Sequence, residues 1–186
     1  MLRTIIVSFL IAASGGTWLD VPLKNWNVAG AAVPAAPKPQ SDAELRRRCG
    51  EQGRPPSSAA DRALVAQGWT LYGPLQTWGD ASLILAGSDV DGMCRPLGYQ
   101  GFVFVGDVLA GTIAPTPMDS RSDGAESEAM LTGSRAVYAE FARYGDKDPL
   151  CCPSRQSTVT YVIEDAAGKP LLVPQSAFTQ PTGTSS

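Results

Sequence analysis

Apolar and polar positions along this chain change rhythm several times, and each change marks an element. Ser41-Asp42-Ala43-Glu44 sets an N-cap serine three residues before a glutamate, a reciprocal capping pair. It predicts a short helix that ends at Cys49, with Gly50 as its stop. Arg54-Pro55-Pro56 breaks the chain, and Ser58 then caps a second predicted helix over residues 59–67, with Leu64 facing the core and Gly68 ending it. From Trp69 onward the rhythm becomes that of strands. Residues 82–86 form a short apolar run closed by Gly87-Ser88-Asp89. In GFVFVGDVLAGTI, Phe102 and Phe104 alternate with Val103 and Val105, and Gly106-Asp107 predicts a two-residue hairpin turn. Counting outward pairs Val105 with Val108, Phe104 with Leu109, and Phe102 with Gly111.

A second hairpin is predicted from residues 129–131 and 135–144 around Thr132-Gly133-Ser134. Val137, Phe141 and Tyr144 also fit a helical spacing, but the following Gly145-Asp146-Lys147-Asp148-Pro149 turn favours strand. Residues 157–163 form the next strand, with Val159, Tyr161 and Ile163 inward and Thr158 and Thr160 outward. Residues 171–173 end the sheet. The expected fold is α+β: one antiparallel sheet of about five to six strands, packed against two short N-terminal helices and stapled by disulfides.

Ahead of the first helix the pattern is different. Arg3 precedes an apolar run over residues 4–13, followed by Ser14-Gly15-Gly16. A basic residue, an apolar run and small residues make a secretory signal, and the run is shorter than the ~20 residues of a bilayer-spanning helix. Cleavage is expected after Gly15, or alternatively at Ala29-Gly30-Ala31; left uncleaved, the segment is a marginal anchor. TWLDVPLKNWN carries Trp18, Leu19, Val21, Leu23 and Trp26, so it is expected to dock on the domain rather than hang free. AAVPAAPKPQ is an extended, polyproline-like connector. The expected organisation is a signal or anchor (1–16), an aromatic segment and linker (17–40), a single α+β domain (41–176) and a flexible tail (177–186).

Composition narrows the chemistry. The 44% hydrophobic and 18% charged content of the 186 residues is globular. The net charge is -3, and Arg46-Arg47-Arg48 is the only basic cluster, so nucleic acid is not an expected partner. Four cysteines behind an export signal, Cys49, Cys94, Cys151 and Cys152, favour disulfides. No histidine and no Cys-x2-Cys pair is present, so neither zinc nor any other metal or cofactor is expected. Pro153 pushes Cys152 towards extended backbone, where neighbouring side chains diverge. The expected pairings therefore join Cys49 and Cys94 to Cys151 and Cys152, in either order.

Several motifs carry a family resemblance: Gly68-Trp69-Thr70, Asp91-Gly92-Met93-Cys94-Arg95-Pro96, Phe102-Val103-Phe104-Val105, Pro117-Met118-Asp119-Ser120-Arg121, and Asp148-Pro149-Leu150-Cys151-Cys152-Pro153-Ser154. From about Asp61 to Glu164 the chain resembles the LppP/LprE lipoproteins of actinobacteria and their cyanobacterial-type relatives. The resemblance implies an exported, disulfide-bonded envelope domain and no particular activity. Lipoprotein members carry a cysteine just after the signal, whereas the first cysteine here is Cys49. Export without lipidation is the expectation, with membrane contact only through an uncleaved N-terminal segment.

Without histidine, Ser-His-Asp and Cys-His chemistry is excluded, and the lysines fall in linkers and turns. Asp89 with Asp91, and Asp146 with Asp148, are the carboxylate pairs for glycan hydrolysis or Ca2+ binding, although turns also use Asp at such places. Cys151 and Cys152 lack the spacing of a thiol oxidoreductase. Trp69, Tyr72 and Trp78 are an aromatic-platform candidate, although large aromatics more often fill cores. The loop over residues 116–124 sets Arg121 beside two carboxylates. Asp91, Arg95, Asp119 and Arg121 are the candidate ligand-binding residues, and no residue is assigned a catalytic role. The reading is non-enzymatic binding of an envelope component or glycan, with a carboxylate-dependent glycan hydrolase as the alternative.

Overall fold

The structure, a computed structural model, describes residues 16–183; the apolar run read as an export signal lies outside them. Helix α1 (Ala43–Cys49) is capped by Asp42, whose carboxylate accepts the Leu45 N–H at 2.7 Å. Ser41, the predicted cap, is drawn away, and its hydroxyl donates to Asp89. Helix α2 (Ala59–Ala66) has the predicted Ser58 cap, made reciprocal by Asp61. Asp61 also receives the fork of Arg54 at 2.6 and 2.8 Å.

Ten strands follow: β1 (Thr70–Trp78), β2 (Ala81–Gly87), β3 (Asp89–Val90), β4 (Pro96–Leu97), β5 (Gln100–Val105), β6 (Val108–Thr112), β7 (Glu126–Gly133), β8 (Ala136–Arg143), β9 (Arg155–Ala166) and β10 (Lys169–Pro181). They form two four-stranded antiparallel sheets, β1-β2-β5-β6 and β10-β9-β8-β7, with β3 and β4 as a separate ribbon. The antiparallel α+β character agrees with the sequence reading, but the single sheet of five to six strands does not.

The reason lies in how the strands are buried. On β9 one face is polar, and Val159, Tyr161 and Ile163 point inward as predicted. β2 and β5 are instead buried on both faces, so their apolar runs are nearly continuous. Leu83 and Val103 face the second sheet, with Val137, Phe141, Tyr161 and Leu172. Ile84, Phe102 and Phe104 face the other way, onto Leu64 of α2 and Trp69. The first sheet is thus the middle of three layers.

The β5–β6 hairpin has the predicted Val105–Val108 and Phe104–Leu109 pairs. Beyond them Ala110 is an extra residue, so Val103 faces Gly111, and Phe102 faces Thr112 rather than the predicted Gly111. Gly111 is needed for another purpose: a Cβ there would lie 2.3 Å from the Asn27 carboxamide carbon. That carboxamide donates to the Thr112 and Leu172 carbonyls and accepts the Thr112 N–H, stitching edge strand β6 to edge strand β10. Gln76 does the same at the opposite edge, donating to the Ala129 carbonyl of β7 at 2.7 Å and accepting the Leu131 N–H. Two side-chain amides therefore occupy edge groups that would otherwise template aggregation. β10 pairs out to Pro181 opposite Arg155, well beyond the predicted residues 171–173 and into the stretch read as tail.

All four cysteines are bridged, but not as expected. Cys49 pairs with Cys94, and Cys151 with Cys152. Residues 149–152 form a tight turn, closed by the Cys152 N–H on the Pro149 carbonyl at 2.9 Å, so the extended backbone assumed for the neighbours is not there. Cys49, at the end of α1, meets Cys94 in the β3–β4 turn, where Cys94 has a left-handed φ of 61°. That bridge spans 45 residues, a loop worth about 4 kcal/mol in the chain-entropy model.

Candidate functional site

The aromatic segment docks where the two sheets open. A short 3-10 turn, Trp18–Asp20, is capped by Thr17. The Trp18 ring meets Trp26 edge-on at 4.9 Å and Phe141 at 5.1 Å, and Trp26 meets Tyr161 at 6.4 Å. The Trp26 indole N–H donates to the Thr112 carbonyl at 3.1 Å. What fixes the segment electrostatically is Arg143, only 2% exposed. Its guanidinium donates to Asp20 at 2.5 Å, Asp123 at 3.1 Å and the Ser157 hydroxyl at 3.2 Å. One buried cation thereby ties the N-terminal segment and the 116–124 loop to the second sheet. Hydrogen bonding from Arg143 holds the Asp20 carboxyl below its ordinary value against the opposing effect of burial.

Between this segment and the loop lie two adjoining hollows. The apolar one, about 520 Å³, is walled by Trp18, Val21, Pro22, Leu23, Trp26 and Pro115, with Lys24 and Asn25 at its rim. The polar one, about 430 Å³, is walled by Thr17, Trp18, Pro115, Asp119, Ser122 and Asp123, among others. Trp18 and Pro115 line both, so the two hollows adjoin at these side chains; together they are called the groove, with an apolar and a polar half. Each half falls in the size range of small-molecule sites.

Asp119 is the one predicted site residue in this groove, and its carboxylate also accepts the Gly98 N–H at 2.7 Å. Arg121 is exposed, has a left-handed φ of 62° and is not among the groove-lining residues. Asp91 and Arg95 pair with each other in the β3–β4 turn. Asp91 accepts the Met93 and Arg95 N–H groups and the Arg95 Nε–H at 2.6 Å, and burial is outweighed, so its carboxyl stays low. The loop docks beside this ribbon, with Ser120 donating to the Pro96 carbonyl, yet among the described residues none of the five main hollows is lined by all four predicted residues.

The other candidates act as structural groups. Burial alone would raise the Asp89 carboxyl, but the Ser41 hydroxyl and the Ser41, Gln40 and Val90 N–H groups hold it at about 2. Asp148 accepts the Gly145 and Ser154 N–H groups. Trp69 is core, stacked edge-on against Phe102 with its indole N–H on the Pro34 carbonyl, whereas Trp78 is exposed. No platform forms. Among the described residues, no group of three or more Cys, Asp or Glu side chains is placed to hold a metal.

Sequence reasoning missed Arg143 and Glu126. Val137, Ala139, Phe141 and Arg143 are all buried at alternate positions of β8, so the arginine's inward parity was readable from its spacing. Glu126 pairs with Phe141 on the inward side of β7, where burial, and secondarily Glu128, push its carboxyl up to about 7. No such signal marks Glu126 in the sequence.

No curated protein and no solved structure matches the chain. A family model does, and its match runs from the end of β1 to the end of β9, which includes the Pro115–Gly124 wall of the groove but not the aromatic segment. Over residues 77–166, just under half of the chain, it is similar to the LppP/LprE lipoprotein family.

Proposed function

We propose that this envelope-associated protein is a non-enzymatic binding domain, and that the groove between the aromatic segment and the 116–124 loop takes an amphiphile of the cell envelope. The observation that carries the reading is the junction of the two halves at Trp18 and Pro115. An acyl chain suits the wall of Trp18, Val21, Pro22 and Leu23, gaining about 0.8 kcal/mol for each buried CH2 before the costs of association. A hydroxylated head group suits the Asp119, Ser122 and Asp123 side. The carboxylates that a hydrolase would need support binding rather than turnover. Asp91 is committed to Arg95, and Asp119 already accepts a backbone N–H.

The test is a titration with monomeric n-octyl glucoside, followed by tryptophan emission. Saturable binding is expected, with free glucose far weaker. Leu23→Asp, in the apolar half, is expected to weaken binding at least tenfold, about 1.4 kcal/mol, and Asp119→Ala to reduce preference for the sugar head. Equal binding by Leu23→Asp would remove the groove from the reading. Turnover of an envelope glycan that is lost in Asp91→Asn or Asp119→Asn would replace it with the hydrolase.

A further inference from the structure

The two disulfides of this chain occupy opposite environments. Cys49 is 3% exposed and Cys94 half-buried. Cys151 and Cys152 are both exposed, at the tip of a loop next to Leu150, itself 67% exposed. The two bridges also do different work. Cys49–Cys94 ties α1 to the β3–β4 turn across 45 residues, whereas Cys151–Cys152 joins neighbours. A bridge between neighbours closes almost no chain, so it adds little to the restriction of the unfolded state.

The loop does not depend on its disulfide for shape. Asp148 accepts the N–H groups of Gly145 and Ser154 at 2.7 and 2.8 Å. The Cys152 N–H closes the turn on the Pro149 carbonyl, and the Tyr144 hydroxyl donates to the Leu150 carbonyl at 3.0 Å. On the far side Thr182 holds the Pro153 and Ser154 carbonyls. With the sulfur–sulfur bond open, these contacts still hold the two thiols side by side. Charged neighbours of both signs, Asp146, Lys147, Asp148 and Arg155, flank the pair in the chain.

We infer that Cys151–Cys152 is a surface site of thiol–disulfide exchange, whose reaction partner is an external dithiol. A thiolate of the dithiol attacks one of the two sulfurs, forming a mixed disulfide and releasing the other as a thiolate that takes up a proton. The second thiol of the partner then attacks the mixed disulfide, leaving as a closed disulfide and freeing the second cysteine. Two electrons and two protons pass from the dithiol to the pair, and the reverse sequence re-forms the bridge. Leu150, Pro149 and Pro153 give the partner an apolar rim. This site is separate from the groove and stands whether or not the groove binds an amphiphile.

The experiment treats the folded, oxidised chain with graded dithiothreitol, quenches with N-ethylmaleimide and maps the labelled peptides. Cys151 and Cys152 are expected to be labelled together at least about tenfold faster than Cys49 and Cys94, with the far-UV circular dichroism unchanged. A Cys151→Ser, Cys152→Ser double variant is expected to keep the wild-type melting temperature. Equal rates, labelling of Cys151 and Cys152 only after unfolding, or a bridge from either of them to Cys49 or Cys94 would each overturn the inference.

Discussion

Replacing Arg143 by Met keeps the volume of a buried side chain and removes the cation that holds the aromatic segment. Arg143 makes two ion pairs and one neutral hydrogen bond. A charge-assisted hydrogen bond is worth about 1.5–3 kcal/mol when sheltered. The partners here are not fully sheltered, with Asp20 40% and Asp123 28% exposed at the side chain, so about 1 kcal/mol each is the better value. Asp123 retains the Tyr144 N–H, and Ser157 retains the Thr179 hydroxyl, so neither is orphaned. The total is a loss of about 2–3 kcal/mol, or a fall in Tm of about 5–10 °C for a domain of this size. Asp20→Asn is expected to cost less than half of that, and the double variant to fall short of the sum. Limited trypsin digestion reports on the segment itself: cleavage after Lys24 should accelerate in Arg143→Met. A variant within about 0.5 kcal/mol of wild type, with unchanged cleavage after Lys24, would refute the clamp.

Three further outcomes are expected. The Glu126 carboxyl, near 7 in the fold against an ordinary 4.5, binds its proton more tightly folded than unfolded. Stability from this group is therefore fully present below pH 4.5 and lost as pH rises through 7, a loss of at most about 3 kcal/mol; denaturant titrations should show Glu126→Gln more stable than wild type above pH 7, and an unchanged pH slope would contradict this. Gly111→Ala should destabilise the protein by about 1–3 kcal/mol because its methyl group displaces Asn27 from both edge strands; calorimetry showing no change would remove the stitch. Metabolic labelling with a fatty acid should leave Cys49, Cys94, Cys151 and Cys152 unlabelled, since all four are bridged; label at any of them would overturn the bridging.

Local signals were legible where local physics decides. The Ser58 cap, the Gly106-Asp107 turn and the inward Val159, Tyr161 and Ile163 all rest on neighbours within a few residues. Ser41 failed as a cap because a distant group, Asp89, competes for its hydroxyl. The β6 bulge was invisible because Asn27, over eighty residues upstream, decides what fits against Gly111. The second sheet was missed because strands covered on both faces lose the alternation that reveals orientation. The cysteine pairing failed on one assumption, that a residue before proline carries its predecessor into extended backbone. The groove needs the aromatic segment and the 116–124 loop together, and no spacing along the chain records their meeting.

On the proposed function, the groove walled by Trp18 and Trp26 receives the apolar part of an amphiphile. The most direct measurement follows the four tryptophan indole N–H signals by NMR while monomeric n-octyl glucoside is added. The indoles of Trp18 and Trp26 should shift saturably with one shared affinity, while Trp69, bonded to the Pro34 carbonyl, and exposed Trp78 stay in place. Shifts confined to Trp78, shifts spread over all four, or no shift at all would contradict it.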